Sequence, residues 1–144
     1  MIAVKFTRTY SPDAHMACWN YNQSAPRLYA CQDLPGGWKM VVMERLIEME
    51  EYDILRDTTR LRYLREVVNH LHSQNFAHGD LRTCNILVHP ENRLCLIDFD
   101  WAGQEGNARY PAFMNHSTVN WAEGASDYQL VLRSHDIHLL NSFQ

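Results

Sequence analysis

The segment from His78 to Asp100 constrains this chain more than any other. It opens with His78-Gly79-Asp80-Leu81-Arg82-Thr83-Cys84-Asn85 and closes on Asp98-Phe99-Asp100. Asp80 and Asn85 are five residues apart, and thirteen more separate Asn85 from Asp98. Asn85 to His89 and Leu94 to Ile97 read as short strands around the turn-forming Pro90-Glu91-Asn92-Arg93. A hairpin of that length folds back and returns Asp98 to the neighbourhood of Asn85. The chain must therefore present one loop and one hairpin that converge on three oxygen-bearing side chains.

The rest of the sequence supplies a scaffold for that unit. Ile2 to Phe6 alternates as a strand. Ser11-Pro12-Asp13 carries an N-cap, a first-turn proline and an acid for the helix dipole, so a helix should run to Trp19 or Asn20. Arg27–Cys31 and Lys39–Met43 flank Leu34-Pro35-Gly36-Gly37 and read as a second hairpin. From Ile54 to Ser73, Leu61, Leu64, Val67, Val68 and Leu71 form one apolar stripe. Arg60, Arg62, Arg65 and Glu66 give that helix its solvated face. Residues 101–125 are broken by Gly103, Gly106, Pro111 and Gly124 and read as irregular; Ala125 to Asn141 reads as a helix again.

At 144 residues the chain reads as one domain, able to bury about two-thirds of its unfolded surface. Its net charge of −4, with no basic stripe, argues against nucleic acid as a partner. Apolar runs are too short for a bilayer, and the N-terminus lacks the apolar core of a signal peptide. No membrane association and an intracellular, cytoplasmic location are therefore expected. Cys18, Cys31, Cys84 and Cys95 form no CxxC pair and read as free thiols. His135 and His138 would share a helix face, but no zinc-ligand pattern accompanies them.

Three oxygens at this spacing suit phosphoryl transfer. That chemistry needs a carboxylate for the proton of the attacking hydroxyl and Mg²⁺ on the phosphates. Mg²⁺ takes a few protein oxygens and completes its octahedron with phosphate and water. Asp80 suits the base, and Asn85 and Asp98 suit the metal. Arg82 either faces the charge on the transferred group or is a surface arginine.

These residues resemble the protein-kinase superfamily. His78 to Asn85 is similar to the catalytic loop H-R-D-L-x-x-x-N, and Asp98-Phe99-Asp100 to the D-F-G segment. Ile2-Ala3-Val4-Lys5 is similar to the V-A-I-K strand, which implies that Lys5 contacts ATP; otherwise Lys5 is a strand-end lysine. HGDLR with DFDWAG, Arg109-Tyr110-Pro111 and His135-Asp136 most resembles kinase-like proteins of mushroom-forming fungi. The resemblance implies an α+β, protein kinase-like fold, truncated at both ends. It implies a partial N-lobe over 1–43, a hinge over 44–50 and a partial C-lobe over 51–144. It implies ATP and Mg²⁺ as cofactors and the serine or threonine hydroxyls of a protein substrate as acceptors. An inactive pseudokinase serving a regulatory partner is the alternative. A small-molecule kinase of aminoglycoside or choline type is the next, because those enzymes share the HGD wording.

The resemblance also assigns smaller roles. Asp13 is either the αC acid that pairs with Lys5 or a helix-start acid. Asp136 matches a buried aspartate that braces the catalytic loop, and Trp101 packs into the core or covers the site. The pattern departs in three places. No glycine-rich loop precedes Lys5. Gly79 stands where an arginine often binds an activation-loop phosphate, and Asp100 stands where a glycine is usual.

Overall fold

Three antiparallel strands form the first layer of the computed structural model, which describes residues 1–52, 58–89 and 93–143. They are β1 (Ile2–Thr7), β2 (Leu28–Leu34) and β3 (Trp38–Glu44), in the order β1-β3-β2. β1 pairs with β3 over six residues, setting Lys5 opposite Val41 and Phe6 opposite Met40. β2 and β3 turn through Pro35–Gly37, where Gly36 and Gly37 have φ of 77° and 75°. Those values are costly for any residue with a Cβ, so two glycines occur here. The alternation in β1 sets Lys5 and Thr7 on the inner face while Ile2, Val4 and Phe6 remain exposed.

Helix α1 (Pro12–Asn20) starts as its sequence dictates, with Ser11 Oγ accepting from Ala14 N at 3.3 Å. Its inner face buries Ala14, His15 and Cys18. Helix α2 (Thr58–Ser73) places Leu64, Val67, Val68 and Leu71 at zero exposure in the main core. The proposed start of that helix near Ile54 lies outside the described residues. The core also takes in Val41, Leu81, Ile86, Leu96, Phe99 and Leu140.

Two smaller sheets hold the functional segment. β4 (Glu50–Glu51), β6 (Ile86–Val88) and β7 (Leu94–Leu96) form one, in the order β4-β6-β7. β6 and β7 are the hairpin that returns Asp98, with Ile86 opposite Leu96. β5 (Phe76–Ala77) and β8 (Gly103–Gln104) pair on either side of the functional residues. Arg93 donates to both oxygens of Glu44 at 3.0 Å and so ties this hairpin to the end of β3.

The C-terminal helix is shorter than its sequence suggests. α3 covers Arg133–Asn141, and residues 125–132 are irregular. Their backbone is committed elsewhere: Tyr110 N donates to Gln129 O at 2.9 Å, and Val131 N to Ala108 O at 2.9 Å. Tyr128 is left-handed, with φ of 64°, which a helix does not accommodate. This segment closes a second core of Ala77, Tyr110, Met114, Ala125 and Val131, against which Trp101 packs. The four cysteines are free.

Candidate functional site

Asp136, fully buried on α3, fixes the loop that follows β5. Its Oδ2 accepts from His78 N at 2.8 Å and from His72 Nε2 at 2.9 Å. Its Oδ1 accepts from Gly79 N at 2.9 Å. A buried carboxylate persists when its lone pairs are satisfied in this way. Gly79 itself has a steric reason. Its φ is +82°, and a Cβ there would lie 3.0 Å from Val131 Cγ1 and 3.3 Å from the Trp101 backbone oxygen. Glycine at this position is thus a packing requirement.

Asp80 is 4% exposed and held from two sides. Arg82 grips it as a fork, with Nε 2.5 Å from Oδ1 and Nη2 2.7 Å from Oδ2. Asn85 Nδ2 donates to Asp80 Oδ2 at 2.8 Å and to its backbone oxygen at 2.9 Å. A carboxylate offers about four lone-pair sites, so three side-chain donors leave one, on Oδ1, for an incoming hydroxyl. The Arg82 guanidinium also lies 5.9 Å from the Trp121 ring centroid. Its hydrogen bonds to Asp80 hold its pKa above the ordinary arginine value.

The hairpin brings Asp98 beside this loop. Ile97 N donates to Asn85 O at 3.0 Å, and His78 Nε2 donates to Ile97 O at 3.0 Å. The His78 tautomer follows from Asp80 N, which donates to its Nδ1 at 3.3 Å. Asp98 has φ of 64°, a left-handed conformation that aspartate tolerates better than most residues.

Lys5 reaches this segment from β1. Its Nζ donates to Asp98 Oδ1 at 2.7 Å and lies 2.7 Å from Asp100 Oδ1, there as an ion pair off the hydrogen-bond direction. Thr7 Oγ1 donates to Asp100 Oδ2 at 2.8 Å. Burial pulls the Lys5 ammonium down, but its bonds to Asp100 and Asp98 outweigh this and hold it above the lysine range. Burial pushes Asp98 up, yet Lys5 holds it below the usual carboxylate range. Asp100 is left above that range, chiefly by burial, with the Asp98 charge adding to the effect.

One ammonium between two carboxylates leaves a formal charge of −1, a field that favours a cation. Asp98, with the Asn85 amide oxygen, offers hard oxygen donors of the kind Mg²⁺ takes, with phosphates and waters filling its octahedron. The donor set fits that ion. Among the described residues, no group of three or more His, Cys, Asp or Glu side chains could hold a metal. His135 and His138 go separate ways, to Tyr110 OH and to Asn120 O, both at 3.0 Å.

The structure brings Asp80, Arg82 and Asn85 into direct contact, and Lys5 into contact with Asp98. Asp13 is exposed in the first turn of α1, whereas Lys5 pairs with Asp98 and Asp100. Sequence reasoning missed Thr7 and His72 as supports. Thr7 was findable, since it lies two residues from Lys5 on the same strand face.

Residues 41–110 match the model of the lipopolysaccharide kinase (Kdo/WaaP) family, a span that includes the loop from His78 to Asn85 and the Asp98–Asp100 segment but not Lys5, Thr7 or Asp136. The fold is protein kinase-like. The chain is also 30% identical over 98 residues to a probable bifunctional tRNA threonylcarbamoyladenosine biosynthesis protein of Methanospirillum hungatei. That alignment covers 65% of this chain but 18% of the relative, so the chain spans about a fifth of that protein's length. Among the described residues, no helix is long and apolar enough to cross a membrane.

Proposed function

We propose that this chain moves the γ-phosphoryl group of ATP to an alcohol hydroxyl. Asp80 takes the hydroxyl proton, Asn85 and Asp98 hold Mg²⁺, and Lys5 contacts the phosphates. Arg82 orients Asp80 and faces the transferred group. The observation that carries this reading is the chain of contacts joining Asp80 to Asn85, Asn85 to Ile97, and Asp98 to Lys5. Bound Mg²⁺ would neutralise phosphate charge, and a positioned base contributes about 10²- to 10⁴-fold. In this reading residues 1–43 form the smaller lobe, 44–50 the hinge and 51–144 the larger lobe.

For the acceptor, the catalytic-loop wording supports a protein serine or threonine hydroxyl. A saccharide hydroxyl is the second reading, favoured by the lipopolysaccharide kinase match. A cavity of about 250 Å³ beside Arg82, where Thr83, Thr118, Asn120 and Ser142 alternate with Leu81, Val119, Leu139 and Phe143, offers room for a small acceptor. Transfer of ³²P from Mg-[γ-³²P]ATP to generic protein substrates and to a saccharide panel decides between them. Signal that Asp80→Asn abolishes is expected. Equal signal from both proteins refutes the catalytic reading, and Mg-ATP binding without transfer leaves a regulatory pseudokinase.

A further inference from the structure

We propose that Asp100 is the positioning residue that holds Lys5 for the nucleotide phosphates, in place of an acid on α1. The inference rests on the nucleotide reading above and names a part of the site that reading does not assign. An ammonium on a four-carbon stem needs a fixed partner before it serves as a phosphate contact. α1 offers Lys5 no such partner, because its first-turn acid, Asp13, faces solvent. Asp98 alone is a poor anchor, since a cation bound there would compete with the ammonium for the same oxygens.

Asp100 has what the anchor requires. Its Oδ1 lies 2.7 Å from Lys5 Nζ while its Oδ2 accepts from Thr7 Oγ1 at 2.8 Å. Lys5 and Thr7 are alternate residues on one face of β1, and Asp98 and Asp100 are alternate residues of the facing segment. The four side chains form a chain of contacts, from Asp98 to Lys5 to Asp100, with the Thr7 hydroxyl bracing the far oxygen of Asp100. When Asp98 turns to a cation, Lys5 keeps Asp100 and stays in place. The acid at the position where kinases usually carry glycine is in this view a relocated support for the lysine.

Two measurements on the full chain test this: binding of a non-hydrolysable ATP analogue with Mg²⁺, and the rate of Lys5 acylation in nucleotide-free protein, read by mass spectrometry. Asp100→Asn removes one charge-assisted contact, so it is expected to weaken analogue binding about tenfold and to speed Lys5 acylation. Thr7→Val shifts both in the same direction by less, and Asp13→Asn shifts neither. Wild-type acylation and binding in Asp100→Asn, or an equal effect in Asp13→Asn, overturns the proposal. If Asp100→Asn fails to fold, Thr7→Val decides, because it leaves Lys5 and both carboxylates present. A wild-type chain that binds no analogue refutes the nucleotide reading, and with it the use of Lys5. Unchanged acylation in the variants refutes the pairing alone.

Discussion

Lowering the pH from 7.5 to 5.0 should cost the folded state about 2 kcal/mol through His15 alone. His15 is fully buried on α1 and stacks on Phe99, the central residue of the Asp98–Asp100 segment, with ring centroids 4.7 Å apart. Its Nε2 donates to Pro26 O at 2.6 Å, and its Nδ1 accepts from Tyr10 OH at 2.7 Å. This network suits the neutral ring. Burial outweighs the Pro26 bond and lowers the pKa from 6.5 to about 4. As pH falls below 6.5 the unfolded chain takes up a proton that the folded chain refuses, so stability declines until the pH passes the folded value. At about 1.4 kcal/mol per pH unit the loss approaches roughly 3 kcal/mol below pH 4. His135 is shifted down too, by burial against the opposing charge of Asp136, so the variant comparison matters. Glu44 and Glu105, held below the carboxylate range first by Arg93 and Arg133 respectively, lose their contribution only at lower pH. Urea unfolding at pH 7.5, 6.0 and 5.0 should show a smaller acid loss for His15→Gln than for wild type, by about 2 kcal/mol at pH 5.0. Imidazole ¹⁵N shifts should show His15 neutral at pH 5. Parallel losses in the two proteins, or a His15 that titrates near 6.5 in the folded state, would refute the reasoning.

Gly79→Ala should destabilise the fold by about 2–4 kcal/mol, from left-handed strain and contact with Val131, as read by denaturant midpoint. Asp136→Asn presents an amide to donors that a carboxylate now satisfies. A loss of about 1–3 kcal/mol is expected, with faster hydrogen exchange at the His78 and Gly79 amides. Ser11→Ala removes the α1 cap and should cost about 0.5–2 kcal/mol in chemical denaturation. Leu71→Ala should cost about 2–5 kcal/mol in the same assay, because the side chain is fully enclosed.

Local chemistry made the scaffold legible. Ser11, Pro12 and Asp13 start a helix by means confined to four residues, and Pro35-Gly36-Gly37 turns the hairpin through backbone angles glycine favours. The Asp80 and Asn85 contact was readable for the same reason, since a five-residue loop brings them together. What the sequence hid depends on distant partners. Residues 125–132 have helical composition but spend their backbone groups on residues 108–110, which no local pattern announces. Lys5 finds Asp100 because β1 and the returning hairpin happen to face each other, whereas Asp13, nearer in sequence, faces away. The crowding at Gly79 comes from Trp101 and Val131, both far along the chain.

Lys5 is carried on an edge strand, which among the described residues pairs only with β3. Side chains on a strand alternate, so a slip of one residue would turn Lys5 outward and point Val4 or Phe6 at the two carboxylates. Two negative charges would then meet an apolar wall, and the site would lose its phosphate contact without any change to its loop. The pairing of Val4 with Val42 and of Phe6 with Met40 is therefore part of the site's wiring, although none of these four side chains belongs to the site. A substitution on the outer face of the sheet that loosens this register would look in an assay like loss of the lysine itself.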